Sequence, residues 1–153
     1  MVIKLTLVNF IKAITAKLNE LYPDRVVHIG EIPREADGNF YIRLVDSSQQ
    51  KHLDRRRKRV LQFEVLYYCK ERDTVKFLEW AEAMYENFER LTVAAGSGGS
   101  GESRSIALKN QKAYENRNTM MYQFMFDAEF HFVLEAEEIP LMEELIHDER
   151  MKE

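Results

Sequence analysis

The sequence predicts an α+β domain, a mainly antiparallel sheet with two amphipathic helices packed on one face and long strands projecting from the body. Three observations carry that expectation. Apolar residues recur at helical spacing in two stretches, one near the N-terminus and one from Asp73 to Leu91. Apolar and polar residues alternate in several others, most cleanly from Thr119 to Glu135. The segments run helix, three strands, helix, loop, two strands, so that strands follow one another and can pair antiparallel.

The first helix is VNFIKAITAKLNELY, residues 8–22, with Ile11, Ile14, Leu18 and Leu21 on one face and Lys12, Lys17, Asn19 and Glu20 on the other. Pro23 ends it, because proline cannot extend the hydrogen-bond ladder and disfavours helical geometry at Tyr22. A short β-branched run, RVVHIGEI, is closed by Pro33. The polar turn READGN then leads into FYIRLVD, where Phe40, Ile42 and Leu44 alternate with Tyr41, Arg43 and Val45. SSQQ has the composition of a turn. Residues 54–69 begin as a charge run and become a strand, with Leu61, Phe63, Val65 and Tyr67 facing one way and Gln62 and Glu64 the other.

Asp73 is a good N-cap for the second helix. Its apolar stripe is Phe77, Trp80, Ala81, Met84, Phe88 and Leu91, and Glu79, Glu82, Glu86 and Glu89 turn mostly to water. Four of the six glycines fall in AAGSGGSGES, residues 94–103, a composition that behaves as flexible coil whether it is a natural loop or an engineered linker. SRSIAL resumes a short strand. In the last strand Met120, Tyr122, Phe124, Phe126, Ala128, Phe130, Phe132 and Leu134 share one face, opposite Gln123, Asp127, Glu129, His131 and Glu135. Residues 1–136 thus form one domain, and residues 137–153 an acidic C-terminal arm or short helix carrying Ile139, Leu141, Met142, Leu145 and Ile146.

Two strand runs of about 16 residues would each extend ~50 Å at ~3.3 Å per residue. A compact domain of this length is only ~40 Å across. At least one strand must therefore bend or project, and a projecting pair exposes backbone edges that another subunit usually covers.

Composition excludes several classes. The 153 residues are 45% hydrophobic, 31% charged and 11% aromatic, which is ordinary for a globular chain and unlike disordered or collagenous ones. No apolar run approaches the ~18 residues of a membrane span, and the N-terminus lacks the features of a signal peptide, so a soluble, unexported domain is expected. The single cysteine, Cys69, permits no internal disulfide and no multi-cysteine zinc site, and fits a reducing compartment.

Little in the sequence carries chemistry. His28, His52, His131 and His147 lie in different elements without metal-ligand spacing, and Cys69 reads as a packed, inert thiol. GSGGSG is no phosphate cradle, since a polar and then β-branched segment follows it instead of a helix. The acidic residues offer no paired-carboxylate site. No catalytic residue, metal or cofactor is expected.

The charge run is more informative. Between Lys51 and Arg59 six basic residues (Lys51, Arg55, Arg56, Arg57, Lys58, Arg59) accompany one acid, Asp54; this local +5 against a total of −4 leaves −9 elsewhere. One reading is contact with acidic protein surface, because clustered arginines bind carboxylates bidentately. A second is a solvated strand entry that protects an edge from aggregation. A third is nucleic acid, although binders of that class usually carry a net basic domain with interleaved aromatics. The candidate subunit or tube interface is Arg55, Arg56, Arg57, Lys58 and Arg59 together with Glu137, Glu138, Leu141, Met142 and Leu145 of the oppositely charged arm.

An amphipathic first helix ending in YPD, the strand pair QQKHLDRRRKRVLQFEVLYY, the helix FLEWAEAMYENFERL, the strand MMYQFMFDAEFHFVL and the tail PLMEEL together resemble the tail terminator, or tail completion, proteins of long-tailed phages and phage tail-like particles. The resemblance covers most of the chain and is poor from about Thr92 to Asn118. It implies a small α+β protein that forms a hexameric ring on the finished tail tube, stops polymerisation and presents the head–tail joining surface. Its implied partners are further copies of itself, the tail tube protein and the head–tail connector protein, with no membrane and with DNA passing through the ring without specific binding. It also implies no catalytic residues, no cofactor, and a place in a virion tail or tail-like particle assembled in the host cytoplasm. The alternatives are a nucleic-acid-binding or regulatory module using residues 51–59, and a small enzyme with an acidic site.

Overall fold

The computed structural model describes residues 5–30, 38–69, 73–95 and 102–134. Helix α1 spans Leu7–Leu21 and starts at a reciprocal cap. The Thr6 hydroxyl accepts from the Asn9 amide at 3.2 Å while the Asn9 side-chain oxygen accepts from the Thr6 amide at 2.9 Å, satisfying two donors that the first turn cannot bond internally. Tyr22 closes the helix by donating its amide to the Leu18 carbonyl. The buried face is Phe10, Ile14 and Leu18, with Ile11 and Leu21 only half-buried. It is therefore rotated from the expected stripe toward Phe10, which the spacing pattern left out.

The strands are β1 (Val27–Ile29), β2 (Phe40–Lys51), β3 (Arg56–Tyr68), β4 (Arg90–Ala94), β5 (Ser103–Asn116) and β6 (Met121–Val133), with helix α2 (Thr74–Asn87) between β3 and β4. They form a curled six-stranded sheet in the order β1-β2-β3-β6-β5-β4, antiparallel except for the short β1–β2 pair. The α+β architecture is as expected. The inward faces of both helices and of the strands form one apolar core, in which Phe63, Phe124, Phe126, Phe88 and Phe130 are closed to solvent.

Three local expectations are corrected. SSQQ is no turn: β2 continues through it, with Ser47 opposite Leu61 and Gln50 opposite Lys58. Ladder pairing uses backbone groups, so polar side chains are tolerated where neither face is buried. Strand β5 is fourteen residues long and extends far beyond SRSIAL. Strand β4 was hidden in the helical pattern, because Phe88 and Leu91 are spaced three apart. Phe88 instead caps α2, and Leu91 and Val93 face the core from a strand that alternates exposed and buried residues.

The long strands both bend and project. The β2–β3 register shifts between Leu44 and Asp46, and the β5–β6 register shifts between Lys109 and Lys112. In the second bulge Asn110 adopts φ 56°, which asparagine tolerates, and its side-chain Nδ2 donates to the Asp127 carboxylate at 2.8 Å. From Val45 through the turn to Arg56 every residue is exposed, so the tip of the β2–β3 hairpin projects from the body.

Away from the helices the sheet is less polar and less open than alternation implied. Glu64 is only 2% exposed, held by Arg43 and by the Tyr114 hydroxyl at 3.3 Å, and Tyr41, Leu66 and Gln123 are buried on the same side. Among the described residues no helix is long and apolar enough to cross a membrane.

Candidate functional site: the basic end of the sheet

The β2–β3 turn, residues 52–55, is closed by the His52 amide donating to the Arg56 carbonyl at 3.0 Å and the Arg56 amide to the Leu53 carbonyl at 3.2 Å. Asp54 takes φ 60° there, and Leu53 is 87% exposed at the tip. The end of β6 lies alongside, with the Leu134 amide donating to the Arg55 carbonyl at 2.9 Å.

Strand geometry divides the basic run into two sets, because successive side chains of β3 point to opposite faces. Arg57 and Arg59 stand opposite Phe132 and Phe130, on the core side, whereas Arg56 and Lys58 stand opposite Val133 and His131. The Arg59 guanidinium lies 4.7 Å from the Phe132 ring centroid, and its Nε donates to Gln49 at 2.6 Å. Arg57 donates to the Asp54 and Arg56 carbonyls at 3.3 and 2.9 Å and so braces its own turn. Lys58 pairs with Glu129 at 2.8 Å, and Lys109 reaches the same carboxylate at 3.4 Å. The hydrogen bond from Lys58, more than any other interaction, holds the Glu129 carboxyl below its ordinary range.

That leaves Arg55 and Arg56. Both are exposed, and neither guanidinium has a hydrogen bond or ion pair among the described residues. Of the five basic candidates, three are thus already used within the chain. The candidates Glu137, Glu138, Leu141, Met142 and Leu145 lie outside the described residues.

A further feature was not visible in the sequence. The β5–β6 pairing ends at Leu108 opposite Ala128, while residues 103–107 of β5 pair with β4 on their other side and β6 runs on to Val133. Arg104 spans the resulting split by donating to the His131 carbonyl at 3.0 Å. A cleft of about 550 Å³ opens there, lined by His52, Arg56, Arg104, His131, Phe132 and Val133. The His52 and His131 rings meet edge to face at 5.8 Å. Arg104 was hidden because its role depends on where β5 parts from β6, which side-chain periodicity does not encode.

The opposite end of the sheet is aromatic. A pocket of about 400 Å³ is bounded by Tyr22, Arg25, Tyr67, Cys69, Trp80 and Tyr122, among others. Burial, with the Cys69 thiol beside it, pushes the Tyr122 hydroxyl up to about 12, and the buried Trp80 Nε1 has no hydrogen-bond partner among the described residues. Among the described residues no group of three or more His, Cys, Asp or Glu side chains is arranged to hold a metal ion.

Comparison with known proteins gives one informative match. A family model described as phage tail terminator protein matches residues 9–140. No curated protein matches. Several solved structures match, and one of them is similar over 88% of this chain and 100% of its own, at 12% identity and a TM-score of 0.42, a likeness too distant to bear on the fold or the site.

Proposed function

The chain belongs to the phage tail terminator family, whose members are structural proteins of the virion tail, and from that premise we propose that it caps the tail tube as a ring, stops tube polymerisation and forms the head–tail joining surface. The partners in this reading are other copies of the chain, in a hexamer, together with the tail tube protein and the head–tail connector protein. DNA passes through the ring without specific binding. Assembly takes place in the host cytoplasm.

The observation that supports this reading best is the projecting strand end, where Arg55 and Arg56 are exposed and unpaired among the described residues and Leu53 stands open at the tip. A fold that spends three of five neighbouring cations on its own side chains and carbonyls, and leaves two at a protruding end, is suited to meeting an acidic protein surface. Head-to-tail contacts between complementary patches close into rings. The test is electron microscopy of particles assembled with and without the protein. Tubes of uncontrolled length are expected in its absence, and tails of normal length from a deletion strain would remove the reading. Salt-sensitive DNA binding that disappears on reversing Arg55 and Arg56, with capping intact, would favour the nucleic-acid alternative instead.

A further inference from the structure

We propose that the cleft between β5 and β6 is the seat of the acidic C-terminal arm, residues 137–145, of a second copy of the chain. The inference rests on the ring-cap reading and names the segment that joins one subunit to the next.

The cleft has the chemistry of such a ligand. Arg56 and Arg104 flank it, and neither has a carboxylate partner among the described residues, where Arg104 donates to the His131 carbonyl. The imidazoles of His52 and His131 add donors, and the half-exposed Val133 supplies apolar wall. The arm reads EAEEIPLMEEL from Glu135, with the carboxylate pairs Glu137–Glu138 and Glu143–Glu144 on either side of the apolar run Ile139, Pro140, Leu141 and Met142. A segment with acidic pairs on either side of an apolar run matches a cleft with cationic rims and an apolar wall.

The cleft also has a backbone edge. In β6 the Leu134 amide bonds to β3, so in an antiparallel ladder the groups of His131 and Val133 point the other way, toward the split. There no strand among the described residues pairs with β6, and a guanidinium bonds the His131 carbonyl instead. An extended peptide can add to such an edge.

A second copy, and not the same chain, is the occupant for a geometric reason. The arm leaves Leu134 at the rim of its own cleft. To lay residues 137–145 back along β6 it would have to turn on Glu135 and Ala136, and a two-residue hairpin turn needs the positive φ that glycine, asparagine or aspartate supplies and a Glu-Ala pair does not, whereas a neighbour's arm enters without that turn. Each copy then gives one arm and receives one, and that exchange closes a ring.

The test is a charge exchange between two full-length variants. One carries Arg56→Glu and Arg104→Glu; the other carries Glu137→Lys, Glu138→Lys, Glu143→Lys and Glu144→Lys. Each alone should lose self-association and assembly at tube ends by at least about tenfold, with circular dichroism showing an intact fold. An equimolar mixture should restore assembly, as alternating copies, because each altered arm meets an altered cleft only on its neighbour. Restoration in one chain carrying both sets of changes, but not in the mixture, would show that the arm docks on its own chain and overturn the proposal. Wild-type assembly by either variant alone would overturn it as well. Tails of normal length without the protein, combined with arm-dependent association of purified chains, would instead sink the capping role and leave the exchange standing.

Discussion

The two ends of the long strands use the same backbone ladder for opposite purposes. At one end Tyr67, Phe77, Trp80 and Tyr122 pack ring against ring, with centroids 5.1–6.4 Å apart, and Tyr22 and Tyr67 extend the cluster through Phe40. At the other the side chains are charged, the turn is exposed, and β5 has parted from β6. The aromatic end buries area and supplies stability. The basic end offers donors and a backbone edge that are unpaired among the described residues, features that cost stability in a monomer and gain value only when a partner arrives. A lesion at the first end should therefore be read in folding, and a lesion at the second in assembly.

The largest expected effect tests the aromatic end. Trp80→Ala removes a side chain that is 7% exposed and touches three other rings, and should cost roughly 3–5 kcal/mol. Denaturant midpoints measure it; a loss below about 1 kcal/mol would mean that α2 presents another face to the sheet.

Next comes the middle of the sheet, where Arg43 meets buried Glu64. Arg43→Ala leaves Glu64 with the Tyr114 hydroxyl as its one remaining described partner, at a cost of about 1–3 kcal/mol, reduced from that of a fully buried pair because the Arg43 side chain is 60% exposed. Replacing Glu64 by Gln as well should recover much of it, since no charge then stays buried. If the single variant is neutral, the carboxylate is not held where the structure places it.

How legible this was from sequence differs between the same two regions. The last strand was legible, because six of its expected inward residues, from Tyr122 to Phe132, are all 3% exposed or less. Strict alternation over a buried face leaves one register available. Trp80, Ala81 and Met84 were legible for the same reason at helical period. What periodicity could not show was pairing. The strand β4, the length of β5 and the split that exposes Arg104 depend on which strands lie beside which, and a polar strand such as SSQQ carries no inward face to announce itself. The basic run was visible as charge, yet its division into Arg57 and Arg59 on the core side and Arg56 on the other required the register with β6.

That division predicts a contrast within the run. Arg59→Glu removes a guanidinium over Phe132 and its bond to Gln49, and should cost about 1–2 kcal/mol. Arg55→Glu, at an exposed site with no described side-chain partner, should stay within about 0.5 kcal/mol. Equal thermal midpoints for the two would contradict the face assignment.

The smallest effect concerns Glu129, where Lys58 and Lys109 converge at 2.8 and 3.4 Å. Both lysine side chains keep access to water, Lys109 most of all, so the network belongs with partly exposed pairs worth roughly 0–1 kcal/mol. Its signature lies in pH dependence. Because the carboxyl is held below its ordinary 4.5, the folded chain keeps this site ionised more readily than the unfolded chain does. The stabilisation is then fully present above 4.5 and is lost as pH falls through the lowered folded value. Glu129→Gln should accordingly be less stable than the parent at neutral pH, with the difference narrowing as pH drops below 4.5, in denaturant titrations run at matched ionic strength. A difference that stays constant across that range would mean that Glu129 acts by packing and not by charge. Added salt should shrink the neutral-pH difference too, since the lysines are screened, whereas the loss from Trp80→Ala should not shrink with it.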